Sequence, residues 1–442
     1  MSYSPSVLCL LFAFISICSL ASQDARSPRQ IREWLDEEVV RNEVFNEGFT
    51  GFRLVDAENG SALFDWRGSQ FFTPASNVKL LTFYLATELL ADSMTAIYYD
   101  YSGDTLEILG SGSPLLFHPE LGDLDAAAPF MRNHPGVIRY HHREISRYGA
   151  GWSWDDYNYG YVYERSMLPV YGNRLTLRSV AGKSEPEILP PNLADSVVVA
   201  DGDVSALVKR EKGNKFTAAL RLYFYKNTNV QRPLTLSPQL IVATLRAGLQ
   251  REVILATESG DSLEWRALKQ PLPDTVLQIM LQKSDNFLAE QLLLSAADAL
   301  SGQPELEALF AFSRDSLLAE LELLPRQWVD GSGLSRYNQF TPRQLTQLIR
   351  RVYFNIGPAR TKKLLAAGGE SGTIRRYFGQ YREPYVWAKS GSLRNVLALS
   401  GLVETKSGRL LVFSFLHNNF PGKSRPHYQQ MERILGFVRD NF

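Results

Sequence analysis

The alternation of apolar and polar residues changes character twice along the chain, and each change predicts a different architecture. After an apolar run from Val7 to Ala21, Phe52 to Trp66 alternates as two short strands around the turn pair Asn59-Gly60. From Ser76 to Leu90, Val78, Leu81, Leu85 and Leu89 recur at spacings of three and four. That spacing predicts a helix with one buried stripe and Ser76 at its N-terminus. Between about Ala96 and Leu255, short segments such as Leu106 to Leu109, Asp195 to Val199 and Phe216 to Tyr225 stand among many glycines, prolines and aromatics, the pattern of a separate, mainly β insert. Helical spacing returns from Asp274 to Leu300, broken by Ser284-Asp285-Asn286. Polar residues inside an apolar helix are a local conflict, and such conflicts gather at functional sites. Tyr385 to Lys389, Val396 to Glu404 and Leu410 to Leu416 read as strands, and Pro426 to Val438 as a closing helix. The expected fold is α+β, with residues 23–95 and 256–442 forming one domain around an insert at 96–255.

Composition narrows the chemistry. With 442 residues, 45% of them apolar, the chain buries a sizeable core in two to four domains. Lysine plus arginine equals aspartate plus glutamate at 47 each, so no overall field draws it to nucleic acid or to an anionic membrane. The first apolar run is short for a bilayer and is followed at once by polar residues, which predicts a signal peptide over residues 1–22 with Ser19-Leu20-Ala21 at the cleavage site. The expected location is therefore the periplasm or cell envelope, with no transmembrane segment after cleavage. Lipidation at Cys18 is the alternative, and the bulky Ile17 before it fits poorly. Cys9 and Cys18 both fall in this segment, so disulfides, thiolate nucleophiles and Cys-based metal sites are not expected in the mature chain. His141-His142 reads as a solvated loop rather than a metal site, because neighbouring residues point in different directions.

Ser76-x-x-Lys79 places a hydroxyl and an amine one helical turn apart on one face. A serine is a poor nucleophile until a base takes its proton, and a lysine serves as that base only when burial or a nearby positive charge lowers its pKa. The pair alone has little specificity, since a capped helix with a solvated lysine gives the same letters. Two further elements add weight: Ser284-Asp285-Asn286, with a hydroxyl to relay protons and an amide to hold substrate, and Lys389-Ser390-Gly391 ending a strand whose backbone can pair with a peptide. Lys406-Ser407-Gly408 repeats the third set of letters, but at a hairpin turn where small and charged residues follow from turn geometry. The copy at Lys389 follows an aromatic strand and can face a cleft.

In these three elements and in wider stretches the chain resembles the class C low-molecular-mass penicillin-binding proteins, the D-Ala-D-Ala carboxypeptidase/endopeptidase family with a large insert between its first two motifs. The similar stretches are Thr73-Pro-Ala-Ser-Asn-Val-Lys79, Gly151-Trp-Ser-Trp-Asp-Asp-Tyr157, Lys283-Ser-Asp-Asn-Phe-Leu-Ala-Glu-Gln291, Asp330-Gly-Ser-Gly-Leu-Ser335, Glu370-Ser-Gly-Thr-Ile374 and Ala388-Lys-Ser-Gly-Ser-Leu393. The resemblance implies a β-lactamase/transpeptidase-like domain, an antiparallel sheet flanked by helices. It also implies that Ser76 is acylated by peptidoglycan stem peptides or by β-lactam antibiotics, that Lys79 is its base, and that Ser284 and Asn286 form the second element. Lys389 would bind the substrate carboxylate and help depress the pKa of Lys79. Ser390, Gly391 and Ser392 would bind substrate, and the backbone N–H groups of Ser76 and Ser392 would form the oxyanion hole. Water would release the acyl group without metal or organic cofactor. Ser390 stands where the family usually has threonine. Two rival classes remain: a β-lactamase or esterase of the same fold, and a non-catalytic wall-binding protein. For the aromatic stretch Gly151 to Tyr163, packing of the insert is expected, with a carbohydrate-stacking surface as the alternative.

Overall fold

The computed structural model describes residues 26–178, 185–201, 206–220, 222, 228–258, 260–324 and 326–442. The expected signal peptide, with Cys9 and Cys18, lies outside the described residues.

A six-stranded antiparallel sheet forms the centre of the main domain, in the order Ala366–Ala367, Val386–Leu393, Val396–Glu404, Leu410–Asn418, Phe49–Asp56 and Ala62–Trp66. Its central strands are apolar nearly throughout because both faces are covered. Ala398, Leu402, Val412 and Leu416 pack with helices Lys79–Leu85, Asn286–Ser301 and Pro342–Ile356 on one side. Leu397, Leu399, Val403, Phe413 and Phe415 pack on the other with the N-terminal helix Pro28–Leu35 and the closing helix Arg425–Asn441. The two-residue period of a strand sorts these side chains between the cores. Lys406-Ser407-Gly408 is an exposed turn at the far end of two of these strands, with Gly408 at φ +84°.

A second, mixed sheet has the order Val253–Leu255, Ile138–His141, Thr105–Gly110, Ser93–Ser102 and Arg266–Pro271. Two three-stranded sheets are built from strands between Arg174 and Pro233. Of the alternating stretches singled out above, Phe216–Ala219 and Val197–Ala200 are strands, and residues 223–225 lie outside the described residues. The twelve-residue helix Pro238–Leu249 was not anticipated there. Its signals were local: Ser237 accepts from Leu240 N, Pro238 opens the first turn, and Ile241, Leu245 and Leu249 are buried at helical spacing.

The solvated loop expected at His141-His142 is corrected for His141. It belongs to strand Ile138–His141, is buried, and sits with Nε2 2.8 Å from Glu107 Oε2. His141 and Glu107 are buried together on adjacent strands, a pairing between residues distant in sequence. Among the described residues no helix is long and apolar enough to cross a membrane.

Candidate active site

The turn before Ser76 is clamped from the sheet: Asn418 Oδ1 accepts from Thr73 N at 2.8 Å, and Asn418 Nδ2 donates to Thr73 O at 3.1 Å. Ala75 then takes a left-handed backbone, φ +46°, and the chain enters one 3-10 turn, Ala75–Val78, that continues as helix Lys79–Leu85. The sequence predicted one buried stripe, but every residue of this helix is buried, because it runs through the core between its neighbours. Lys79 is therefore fully buried, and its amine must find partners inside the protein. It donates to Ser76 Oγ at 3.0 Å, to Asn286 Oδ1 at 2.6 Å and to the carbonyl of Ser332 at 2.6 Å. Burial lowers its pKa to about 8, against the opposing pull of the carboxylates Asp330, Glu290 and Asp285.

Asn286 reaches this point because the long apolar stretch is two helices, Asp274–Gln282 and Asn286–Ser301. Asp285 caps the second by accepting from Leu288 N at 2.9 Å, and Ser284, between them, sits at φ +59°. A non-glycine residue held left-handed is a local strain that surrounding structure must enforce. Here it turns Ser284 Oγ toward Lys389, whose amine donates to it at 2.9 Å and to the carbonyl of Ser390 at 2.6 Å. Lys389 is fully buried on strand Val386–Leu393. Its pKa lies well below the usual lysine value, first through burial and then through the charge of Lys79.

The strand comes this close to the nucleophile turn only through Gly391. A Cβ there would lie 2.8 Å from both Pro74 O and Ser76 N and 3.0 Å from Asn77 Nδ2. Ser390 is buried and Ser392 exposed beside it. The three sequence elements therefore meet at one cleft of about 750 Å³ whose walls include Ser76, Ser284, Asn286, Thr373, Ser390 and Ser392.

The floor of the site had no role assigned from sequence. Loop Asp330 to Ser335 brings the Ser332 carbonyl to Lys79 and is held by two buried acids. Glu290 accepts from Gly331 N at 3.0 Å and Ser332 N at 2.7 Å. Asp330 accepts from Gly333 N at 2.9 Å, Ser335 N at 2.7 Å and Asn338 Nδ2 at 2.8 Å. The inserted region supplies the remaining partners: Arg165 Nε donates to Glu290 at 2.8 Å, and the Trp152 indole N–H donates to Asp330 at 2.9 Å. A Glu-Gln pair in the apolar run after Ser284 was the available signal, the same kind of conflict that marked Ser284 itself. The aromatic stretch divides accordingly. Trp152 packs against the main domain, whereas Trp154 is 89% exposed and Tyr159 and Tyr161 stack at 5.5 Å on the cleft wall.

Comparison with known proteins accords with this arrangement. Carboxypeptidase DacB of Mycolicibacterium smegmatis is 32% identical over 36% of this chain and 36% of that protein. D-alanyl-D-alanine carboxypeptidase DacB of Haemophilus influenzae is 29% identical over 35% of this chain and 33% of its own length. The matched stretches thus span about a third of each of these two relatives. A longer match, 26% identical over 91% of this chain and 84% of the relative, is to the D-alanyl-D-alanine carboxypeptidase of Actinomadura sp. strain R39. The crystal structure of penicillin binding protein 4 (dacB) from Haemophilus influenzae superposes with a TM-score of 0.70 at 20% identity, covering 93% of this chain and 99% of that one, a likeness of fold. The sequence profile of one family matches residues 32–221 and 235–437, from the N-terminal helix through the inserted sheets to the closing helix, and the chain therefore belongs to the D-Ala-D-Ala carboxypeptidase 3 (S13) family.

Proposed function

We propose that the chain is an exported serine peptidase that cleaves the D-Ala-D-Ala ends of peptidoglycan stem peptides through an acyl-enzyme at Ser76, and that β-lactams acylate the same oxygen. The main support is the buried Lys79 amine, 3.0 Å from Ser76 Oγ with a pKa near 8. In its neutral form Lys79 takes the hydroxyl proton as Oγ attacks the substrate carbonyl carbon. The backbone N–H groups of Ser76 and Ser392 receive the negative charge that develops on the carbonyl oxygen. When the C–N bond breaks, the departing D-alanine nitrogen takes a proton from Lys79 relayed through Ser284. Water, deprotonated by the same amine, then releases the acyl group.

Lys389, with Ser390, would hold the terminal carboxylate, while the backbone beyond Gly391 pairs with the peptide. Burial and the charge of Lys79 lower the pKa of Lys389, and an arriving carboxylate opposes that shift and favours its charged form. Asn286 orients the Lys79 amine by accepting from it. The apolar run Val7 to Ala21 supports export.

Incubation with a labelled penicillin, followed by intact-mass measurement and peptide mapping, tests the reading. The expected label sits on Ser76, and Lys79→Ala and Lys389→Ala each slow its formation by several orders of magnitude. A label elsewhere, or none on folded protein, overturns the proposal. Product analysis with a stem pentapeptide and a cross-linked dimer then separates terminal D-alanine release from cross-link cleavage.

A further inference from the structure

We propose that Thr373 is a positioning residue that fixes the side chain of Ser390 for a substrate carboxylate, an inference that rests on the peptidase reading of the cleft. Serine has no γ-methyl, so its χ1 is freer than that of a β-branched threonine. A lone serine in the third motif therefore needs an external restraint if its hydroxyl is to stay aimed at one point. Ser390 Oγ lies 2.6 Å from Thr373 Oγ1 and donates to it. Tyr428 of the closing helix, itself buried, also lines the cleft. Tyr428 is itself fixed by stacking on Tyr377, ring centroids 4.0 Å apart and nearly parallel.

Thr373 is exposed on the cleft wall, and when a carboxylate arrives its hydroxyl hydrogen can turn to Ser390 Oγ, which frees the Ser390 hydrogen for the ligand while the 2.6 Å contact between the two oxygens holds. The turn that carries it is set by Gly372, at φ +60° and pressed against the end of helix Asp274–Gln282. A Cβ at Gly372 would meet Ala366 Cβ at 2.7 Å and Gln282 O at 2.8 Å. The two hydroxyls thus form one unit, Thr373 restoring to Ser390 the stiffness that a threonine would carry within itself.

The test compares kcat/KM for a peptide ending in D-Ala-D-Ala with that for the same peptide amidated at its C-terminus, in wild type, Thr373→Val, Thr373→Ser and the double variant Thr373→Val/Ser390→Thr. Loss of a hydrogen bond that orients a group toward a charge predicts a fall of about tenfold for the free acid in Thr373→Val, with the amide changed by less than about twofold. Thr373→Ser is expected to match wild type, and threonine at position 390 is expected to recover most of the loss. An equal fall for both peptides, no fall for either, or no recovery in the double variant overturns the proposal. Failure of the peptidase reading shows separately, as wild type that neither cleaves the free acid nor takes up penicillin, and it would carry this proposal with it.

Discussion

Acylation at Ser76 is expected to follow the neutral fraction of Lys79, and pH is the simplest perturbation that changes it. With a pKa of about 8, the amine is neutral in about one molecule in ten at pH 7 and in half at pH 8. A lysine at its ordinary value of 10.5 would be neutral in about one in three thousand at pH 7. The second-order rate constant for labelling by a fluorescent penicillin should rise about tenfold from pH 6 to 7 and about fivefold from 7 to 8, then level off. Asp285→Asn sharpens the test. Its charge raises the pKa of Lys79, so neutralising it moves the rising midpoint to lower pH, while asparagine still caps the helix at Leu288 N. A flat profile, a midpoint at the ordinary lysine value, or an upward shift in Asp285→Asn refutes the role given to burial.

Three further outcomes follow from particular contacts. Gly391→Ala forces the strand away from Pro74 and Ser76, and a displacement of that size should lower the acylation rate about a hundredfold with a nearly unchanged melting temperature. Glu290→Gln leaves the buried Arg165 guanidinium without a counter-charge and should cost about 3–5 kcal/mol in urea unfolding, whereas Arg165→Met/Glu290→Leu should recover most of it. His417 and His427 are buried beside each other, His417 held well below the usual histidine pKa and His427 at about 4, both chiefly by burial. The unfolded chain therefore binds more protons between pH 6.5 and 4, so stability should fall as pH drops through that window. His427→Phe should lessen that fall, and equal urea midpoints at pH 7 and 4.5 in wild type would refute it.

The parts of the fold legible in the sequence were those whose cause is local. Val396–Glu404 matches its predicted bounds because an uninterrupted apolar run between turns has few other fates. Ser284-Asp285-Asn286 showed as a break because Asp285 caps the helix that begins there. The two copies of Lys-Ser-Gly differ locally, one in a hairpin turn and the other after the aromatic strand that ends in Lys389. What stayed hidden depends on partners distant in sequence. Whether the helix after Ser76 is buried on one side or all round is decided by the helices and sheet packed around it. Asp330 and Glu290 acquire meaning only through Trp152 and Arg165, more than a hundred residues earlier in the chain.

The contacts of Trp152 and Arg165 have a consequence for anyone who wishes to shorten this protein. Arg165 pairs with Glu290 and the Trp152 indole N–H holds Asp330 under the nucleophile, and the carbonyl of Tyr161 accepts from Asn286 Nδ2 at 2.8 Å. Excising the inserted sheets would therefore strip the reaction chamber of part of its foundation, leaving two carboxylates unshielded below the amine and its orienting amide adrift. A minimal version that keeps the catalytic letters must also retain, or rebuild, the segment from Trp152 to Arg165.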